Sequence, residues 1–347
     1  MMGVVATPFR ASDDAPVDPG GTGGSSGTGG AAGDSGVDDA NTGGTGGSPL
    51  DGGGDAGSDA QGDSITKVAD AQGQVNAITV YGASIYFTFA NSTSGGIASA
   101  PTAGGAATIE YASPGGSADS IAVDGSAVYW LMFPASGANW NGDLRSKAYP
   151  GGTEVVLAAN LPRPREVAID ESNVYWLEGE SPDIRIMSIG KTGGAASTVV
   201  TGSLHALTFA YGYLFYGDST YNGIVFRPPA MGAAEVIASP ADPARIAVDD
   251  THVYWLDLAT NTVQRASRAG GSIPETLAST GVASGNMALD DAYVYWTSGS
   301  EISAVPKAGG TVVVIASLRP QSSSVVDDSW VYWGEADAVM KALKPNP

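Results

Sequence analysis

The chain of 347 residues contains no cysteine and only two histidines, His205 and His252. Without cysteine there are no disulfide bonds, no thiolate metal sites and no cysteine nucleophile. Two histidines are also too few for a histidine-rich metal cage. Catalytic groups of the usual kinds are therefore scarce.

Basic side chains are few as well. Sixteen lysines and arginines stand against 36 acidic residues, which gives a net charge of −20 and a pI near 4.2. Nucleic-acid phosphates and anionic lipids repel such a polyanion, so we expect neither as a partner. The acidity suits extracellular life and contact with divalent cations, although a solvated surface is its commoner explanation. We expect a monomer.

Long apolar runs are missing too. None approaches the ~20 residues that span a bilayer, so the sequence predicts no transmembrane segment. The apolar start at residues 1–6 is too short for the core of a signal peptide. Either export uses a start upstream of this one, or the protein stays inside the cell.

Residues 1–63 have almost no large apolar side chains and consist mainly of Gly, Ser, Thr, Ala, Asp and Pro. This segment holds ten acidic residues and one base, Arg10. Such a composition predicts a disordered, self-repelling tether, and residues 64–347 then form a single domain. Spacers of this kind commonly hold domains away from a cell surface. The composition therefore favours an extracellular, cell-surface or periplasmic protein whose export signal is not evident in the chain.

A short aromatic strand motif recurs through the domain. Five copies read Val-Tyr-Trp and two are degenerate; their first aromatic residues are Tyr86, Tyr129, Tyr175, Phe215, Tyr254, Tyr295 and Tyr332. A period of about 40 residues built from short strands is typical of a β-propeller. We therefore predict an all-β, seven-bladed propeller, with six or eight blades as the fallback.

The fifth copy shows how one repeat is built. Strands are predicted at residues 245–249, 253–256, 263–268 and 273–278, with the hairpin Gly270-Gly271 before the last of them. Glycine suits this turn because tight hairpins place residues at positive φ. Each repeat is therefore a four-stranded antiparallel blade.

Residue size and closure support the same architecture. The first strands carry small residues, where seven blades crowd toward one axis, and the second strands carry Tyr and Trp. The seventh copy ends after its third strand, residues 338–342, while residues 64–69 match the fourth strands of other copies. We predict that this N-terminal strand completes the last blade and removes an exposed sheet edge.

The run from Arg245 to Asp249, followed by Val253 to Asp257, resembles the YWTD repeat of low-density-lipoprotein-receptor propellers. The resemblance covers residues 64–345 as a pattern and is shared with uncharacterised repeat proteins that bacteria export. It implies that the acid two residues after Trp ties neighbouring blades together. That acid is Asp257, with Glu178, Asp218 and Glu335 at matching places, whereas Phe89, Met132 and Ser298 depart from the pattern. Receptor function does not carry over, because the receptors have six blades and cysteine-rich modules.

A polar ring is predicted at the entrance to the central channel. The first strands start there with Ala77, Ser120, Glu166, Ala206, Arg245, Asn286 and Ser323. Glu166, Arg245 and Asn286 could hold a polar ligand or an ion. Calcium is the possible cofactor, with Glu166 as its ligand, because lactonase-like propellers use a mixed acid and amide set. Alternatively, Glu166 and Arg245 pair and plug the channel, and no cofactor binds.

Loops after the second strands should surround the same entrance. The longest, residues 132–143, carries Phe133 and Trp140, and blade 4 offers Asp218 and Tyr221. Exposed aromatic rings beside carboxylates suit a carbohydrate or peptide ligand. Trp140 could equally cover a neighbouring blade.

Two functions follow from these residues. The first is a non-catalytic, exported or surface-tethered binding or scaffold module that recognises a protein, peptide or glycan at the propeller mouth. The alternative is a lyase or lactonase-type enzyme, possibly metal-assisted, in the central depression. His205 is its catalytic candidate, because seven-bladed streptogramin-lyase propellers use histidines at the mouth. A purely structural surface protein is the third interpretation.

Overall fold

The computed structural model describes residues 65–134, 140–149, 151–227, 233–239, 241–279, 285–299, 301–317 and 323–346. The predicted tether, residues 1–63, lies outside the described residues, as does Ser64. Within them the structure has 28 strands in seven antiparallel four-stranded sheets and no helix. The prediction of an all-β propeller is confirmed.

The first four blades follow the chain in order. Blade 1 contains β2 (Gln74–Tyr81), β3 (Ser84–Ala90), β4 (Ser94–Pro101) and β5 (Thr108–Pro114). Blade 2 contains β6 (Ser117–Val123), β7 (Ala127–Phe133), β8 (Gly142–Ala148) and β9 (Glu154–Leu161). Blade 3 contains β10 (Arg165–Ile169), β11 (Asn173–Glu178), β12 (Ile184–Gly190) and β13 (Ser197–Gly202). Blade 4 contains β14 (Leu204–Ala210), β15 (Tyr213–Asp218), β16 (Gly223–Arg227) and β17 (Glu235–Ala238).

Three more blades complete the ring. Blade 5 contains β18 (Pro243–Val248), β19 (His252–Asp257), β20 (Thr262–Ser267) and β21 (Glu275–Ser279). Blade 6 contains β22 (Met287–Leu289), β23 (Tyr293–Ser298), β24 (Glu301–Pro306) and β25 (Val313–Ser317). Blade 7 contains β26 (Ser324–Val326), β27 (Trp330–Gly334), β28 (Ala338–Leu343) and β1 (Thr66–Asp70).

The N-terminal strand closes the ring as predicted. β1 pairs antiparallel with β28, Thr66 opposite Lys341 and Asp70 opposite Ala338. The first strands contact one another in a closed series, β2 to β6 and onward to β26, which contacts β2 again. Seven blades are therefore confirmed, and the outer edge of β28 is paired.

The core lies between the blades. Seven apolar clusters each join two neighbouring blades; the one between blades 4 and 5, for example, contains Phe215, Ile224 and Trp255. The second-strand Trp and Tyr residues fill these wedges and are among the largest fully buried side chains. The small first-strand residues, such as Ala122 and Ala247, are buried near the axis. Each blade is thus stabilised by apolar burial on both faces.

The acids at the family position bond to the tryptophan of their own strand. Glu178 accepts from Trp176 Nε1 at 2.8 Å and Asp257 from Trp255 Nε1 at 3.1 Å. Glu335 accepts from Trp333 Nε1 at 3.3 Å. The bonds from these indoles stay within one blade. Asp257 Oδ2 also accepts from the main-chain N–H of Asp242 at 3.0 Å, in the segment between blades 4 and 5, so the expectation that this acid joins neighbouring blades stays a prediction. An acid two residues after Trp lies on the same face of the strand, which brings its oxygens beside the indole.

The strand ends define two faces of the propeller. The first strands begin on the loop face, where the loops after the second strands, such as residues 258–261, also lie. They end on the turn face, which carries the first turns, such as Asp249 to His252, and the glycine hairpins, such as Gly270-Gly271. Both glycines of that hairpin have positive φ, 75° and 73°, as predicted.

Candidate functional site

All seven residues of the predicted entrance ring are buried. They are Ala77, Ser120, Glu166, Ala206, Arg245, Asn286 and Ser323, each with 6% or less of its surface exposed. Three of them, Ser120, Glu166 and Ala206, have positive φ, and the strand register shifts at each. These bulges re-aim side chains at the start of the first strand. The ring is a packed layer of side chains.

Glu166 is the centre of this layer. Its Oε2 accepts a hydrogen bond from the main-chain N–H of Leu207 at 2.6 Å, and its Oε1 lies 3.4 Å from Arg245 Nη1. Arg245 Nη1 also donates to the oxygen of Ala244 at 2.5 Å. Burial lowers the pKa of Arg245, while the carboxylates of Glu166 and Asp119 raise it. The pairing that the plug interpretation requires is present.

Further hydrogen bonds of the ring join neighbouring blades. Ser120 Oγ of blade 2 accepts from the N–H of Val167 in blade 3 at 2.8 Å. Asn286 Nδ2 of blade 6 donates to the oxygen of Ser324 in blade 7 at 2.7 Å. Glu166 links blade 3 to blades 4 and 5 in the same way. The polar residues of the ring therefore connect neighbouring blades close to the axis.

The entrance ring is a poor fit for the possible calcium ion. Both oxygens of Glu166 already contact protein donors, Leu207 and Arg245. Within the described ranges, no group of three or more histidine, aspartate or glutamate residues is placed to hold a metal. Calcium prefers six to eight oxygen ligands, several of them carboxylates. Metal binding at Glu166 remains an untested prediction that this geometry does not favour.

His205 lies in β14, on the loop face of blade 4. Its Nε2 is 3.5 Å from Asp242 Oδ1, and a Cβ on Gly217 would lie 2.4 Å from the same nitrogen. Burial lowers the pKa of His205, while nearby carboxylates, Asp242 foremost, raise it. Burial is the larger effect, so the pKa of His205 lies below its ordinary value, and the imidazole packs against a glycine that leaves room for it. Its catalytic role remains a prediction.

The predicted loop residues differ in exposure. Trp140 and Tyr221 are 54% and 50% exposed, which suits a surface contact. Asp218 is buried and accepts from the main-chain N–H of Thr220 at 2.8 Å, so it holds its own loop. Phe133 is half-buried at the end of β7. Of the long loop, residues 135–139 lie outside the described part of the chain.

A cavity of about 270 Å³ opens on the loop face beside Phe133. It lies between the outer parts of blades 1 and 2, and its walls are Ser113, Pro114, Met132, Phe133, Pro134, Asn141, Gly142, Asp143, Arg145 and Asn160. Of the residues predicted from the sequence, the cavity includes Phe133. Trp140 directly precedes the lining residue Asn141, and the entrance ring, Asp218 and Tyr221 are not among the lining residues.

Polar groups of the cavity are held in a network. Arg145 donates to Asp143 Oδ2 at 2.8 Å, to Glu154 Oε1 at 2.5 Å and to the Tyr111 hydroxyl at 2.6 Å. Burial lowers the pKa of Arg145, but Asp143, Tyr111 and Glu154 outweigh it and raise the pKa overall.

A second pair belongs to the same cavity. Asn141 Nδ2 donates to Asn160 Oδ1 at 2.8 Å, and the N–H of Asn160 donates to Asp143 Oδ1 at 3.0 Å. The sequence analysis did not identify these partners. Asp143 and Arg145 are two residues apart in β8, a spacing that places two side chains on the same face of a strand.

The chain matches no protein-family profile and no curated protein. It does resemble solved structures. A chain of a nidogen–laminin complex is 21% identical over 60% of this chain and 77% of that one, with a TM-score of 0.44. The extracellular domain of the putative one-component system BT4673 from B. thetaiotaomicron is 11% identical over 82% of this chain, with a TM-score of 0.56. PorZ, a surface component of the type-IX secretion system of Porphyromonas gingivalis, is 13% identical over 81%, with a TM-score of 0.58.

The chain spans about two fifths of the two bacterial proteins, 40% and 39% of their lengths. At such identities the likeness of these two concerns the fold alone. The fold is a seven-bladed β-propeller, and its repeated Tyr-Trp strands resemble the YWTD repeat. In the described residues, no helix is long and apolar enough to cross a membrane.

Proposed function

We propose that the protein is a non-catalytic, exported or surface-tethered binding module that recognises a short glycan on its loop face. The single observation that carries this proposal is the cavity beside Phe133, which combines apolar and aromatic walls with Asn141, Asp143 and Asn160. Sugars offer C–H groups to aromatic rings and hydroxyls to amides and carboxylates. A pocket with a few fixed polar groups on an apolar base suits such a ligand.

The fixed geometry of the polar groups supports the same ligand. Asp143 is held by Arg145 and by the N–H of Asn160, so its carboxylate is ordered before any ligand arrives. Preorganised groups lose little conformational freedom on binding. The exposed ring of Trp140, next to Asn141, can extend the stacking surface.

An exported location is supported by the bacterial proteins of similar fold. One is described as an extracellular domain and the other as a bacterial surface component. Together with the tether-like composition of residues 1–63, this favours an exported protein. An enzyme in the central depression is less well supported, because Glu166 and Arg245 are buried and bonded to protein groups.

Calorimetric titration with a panel of neutral mono- and disaccharides tests the proposal. We expect at least one sugar to bind, and Phe133→Leu to weaken it about tenfold because the aromatic face is lost at similar bulk. Asn141→Ala should weaken the same sugar, since it removes an amide that lines the cavity. Tyr221→Ala is the matched control, because that exposed ring lies outside the cavity. Equal affinity in the wild-type protein, Phe133→Leu and Asn141→Ala would refute the glycan site.

A further inference from the structure

On the turn face, the residue that directly follows the third strand of a blade lies against the preceding blade. We name it the latch residue. In the part of the chain that the structure describes, the latch residues are Thr102, Tyr149, Lys191, Arg268, Lys307 and Lys344. The latch position of blade 4 lies outside that part.

Three latch residues are lysines, and each bonds to an aspartate at the end of the first strand of the preceding blade. The pairs are Lys191–Asp124, Lys307–Asp249 and Lys344–Asp290, the last two at 2.8 Å. Lys307 Nζ also lies 5.4 Å from the ring centroid of Tyr254, whose hydroxyl bonds to the same carboxylate. A latch aspartate beside its tyrosine is thus a recurrent receptor for a primary ammonium group.

The latch residues Tyr149 and Arg268 contact aromatic rings of the preceding blade instead. Where the first strand ends without an aspartate, in blades 1 and 4, the latch is not a lysine. Tyr149 packs edge-on against Tyr86 with ring centroids 5.6 Å apart, and the Arg268 guanidinium lies 4.2 Å from the ring centroid of Tyr211.

We call the boundary between two neighbouring blades a seam. The seam between blades 7 and 1 has an aspartate, Asp327, but its latch residue is not a lysine. Asp327 ends the first strand of blade 7 and accepts from the N–H groups of Ser329 and Trp330, each at 2.8 Å, and from the Tyr332 hydroxyl at 2.6 Å. The latch residue facing it is Thr102, which is too short and uncharged to replace a lysine. Among the described residues, no basic side chain forms an ion pair with Asp327.

The seam between blades 5 and 6 is a close template for this one. There the latch sequence is Pro-Lys-Ala-Gly-Gly, residues 306–310, and at the closing seam it is Pro-Thr-Ala-Gly-Gly, residues 101–105. In both seams a cation of the third strand, Arg265 or Lys341, donates to the main-chain oxygen of the latch residue. Arg265 coexists with the Lys307 ammonium, so the charge of Lys341 does not bar a second ammonium at the closing seam.

Because Thr102 is shorter than the lysine of other seams, a cavity remains beside Asp327. Its volume is about 290 Å³, and it is lined by Gly82, Thr102, Ala103, Asp327, Asp328, Ser329, Trp330, Tyr332 and Lys341. Lys341 Nζ lies 4.4 Å from a ring centroid of Trp330, and Lys344 Nζ bonds to Asp290 and to the main-chain oxygen of Asp327. The carboxylates of Asp327 and Asp328 are the groups that remain for a ligand, and Trp330 borders them.

We propose that this cavity, the latch notch, binds a primary alkylammonium group at Asp327, taking the place that lysine holds at Asp124, Asp249 and Asp290. The ammonium would bond to the Asp327 carboxylate and its alkyl chain would lie along Trp330. The source is a lysine side chain of a partner protein or a small alkylamine, since both carry the same group. This site is on the turn face, so it is independent of the glycan cavity.

Alkylammonium binding is tested by following the main-chain amide resonances of Ser329 and Trp330 during titration. The probes are n-butylammonium and Nα-acetyl-lysine amide, with sodium chloride at equal ionic strength as the reference. We expect saturable shifts with a dissociation constant of about 1 mM, typical of one small cationic group. Equal affinity for both probes indicates that the ammonium alone is recognised; tighter binding of the lysine amide indicates a protein lysine. The acetylated Nε form of the lysine amide should not bind.

Three variants locate the site. Asp327→Asn keeps an oxygen for the turn amides but removes the charge, and it should weaken both probes at least tenfold. Thr102→Lys supplies the absent latch, and it should abolish probe binding while raising the melting temperature. Asp291→Asn changes the residue that corresponds to Asp328 at a seam already filled by Lys344, and it should leave probe binding unchanged.

Loss of binding in Thr102→Lys cannot be attributed to unfolding, because this variant should be more stable than the wild-type protein. Unchanged butylammonium affinity in Thr102→Lys or in Asp327→Asn would overturn the proposal. Amide shifts in the wild-type protein no larger than those from sodium chloride would overturn it as well. Neither result bears on the sugar titrations at Phe133.

Discussion

At the scale of single residues, departures from the repeat leave visible traces. Met132 and Ser298 stand where other blades have an acid after Trp. In these two blades the buried indole N–H groups, those of Trp130 and Trp296, have no hydrogen-bond partner among the described residues. A buried donor without a partner costs about 1–3 kcal/mol. The acid at this position therefore serves the indole beside it.

Ser298→Asp should stabilise the protein by about 1 kcal/mol, because it offers Trp296 Nε1 the acceptor that Asp257 gives Trp255. Urea denaturation at pH 7 measures the change. Ser298→Ala is the control and should be near neutral, and Asp257→Ala should lower the free energy of unfolding by about 2 kcal/mol. A lower urea midpoint for Ser298→Asp than for Ser298→Ala would contradict this explanation.

The latch pairs predict a specific dependence on acid. Burial alone would raise the pKa of Asp249, but hydrogen bonds from Lys307 and from the amides of His252 and Thr251 lower it well below its ordinary value. A carboxyl group whose pKa is depressed on folding stabilises the protein above its unfolded pKa of about 3.9. That contribution is lost as the pH falls through the folded pKa.

Lys307→Met should therefore cost about 1 kcal/mol at pH 7 and less at pH 1.5, nearer the depressed pKa of folded Asp249, where its carboxylate begins to take up a proton. Urea unfolding of both proteins at the two pH values measures the difference. Lys67→Met is the control, since Lys67 is exposed and its pair with Asp70 lies on the surface. An equal cost of Lys307→Met at both pH values would mean that Lys307 acts through packing alone.

At the scale of elements, β1 is a strand of five residues that closes the ring by pairing with β28. Its residue Val68 is buried in the apolar cluster that joins blades 7 and 1, together with Tyr332 and Val339. The strand supplies the outer edge of blade 7, and it holds the chain at a place that would otherwise be an open sheet edge.

Val68→Asp should lower the free energy of unfolding by about 3 kcal/mol, because it places a carboxylate in this cluster. Hydrogen exchange should speed up in β28 first, while β19 in blade 5 keeps its protection. Lys67→Ala, on the exposed side of the same strand, should have little effect. A uniform loss of protection in all blades would show that the ring opens only as a whole.

At the scale of the whole molecule, the architecture was largely readable from the sequence. The spacing of the Tyr-Trp motif predicted the blades, and the unfinished seventh copy predicted the pairing of β1 with β28. These signals are strong because every blade must fill the same wedge with the same large side chains. Strand boundaries in blade 5 were misplaced: its first strand begins at Pro243, two residues before the predicted Arg245, and its last strand begins at Glu275, two residues after the predicted Ile273.

The site was less predictable because its parts come from different strands and blades. Phe133 was expected on the loop face, yet its partners Asn141 and Asn160 meet through a pairing 19 residues apart. The latch notch is lined by residues from blades 1 and 7 that are far apart in sequence, such as Thr102 and Asp327. Comparing the repeats position by position would have exposed it, since a latch lysine pairs with the first-strand aspartate at three seams, those of Asp124, Asp249 and Asp290.

The pairing of β1 with β28 also sets the order of events during synthesis. Thr66 leaves the ribosome about 270 residues before its partner Lys341, and no earlier blade can substitute for that partner. A nascent chain can stack six complete sheets but must wait until β28 has been synthesised to close the ring. Joining ends so distant in sequence costs chain entropy, which makes this step a late one. A stalled or truncated polypeptide would therefore keep an unpaired strand at each end, ready for capture by a chaperone or for aggregation.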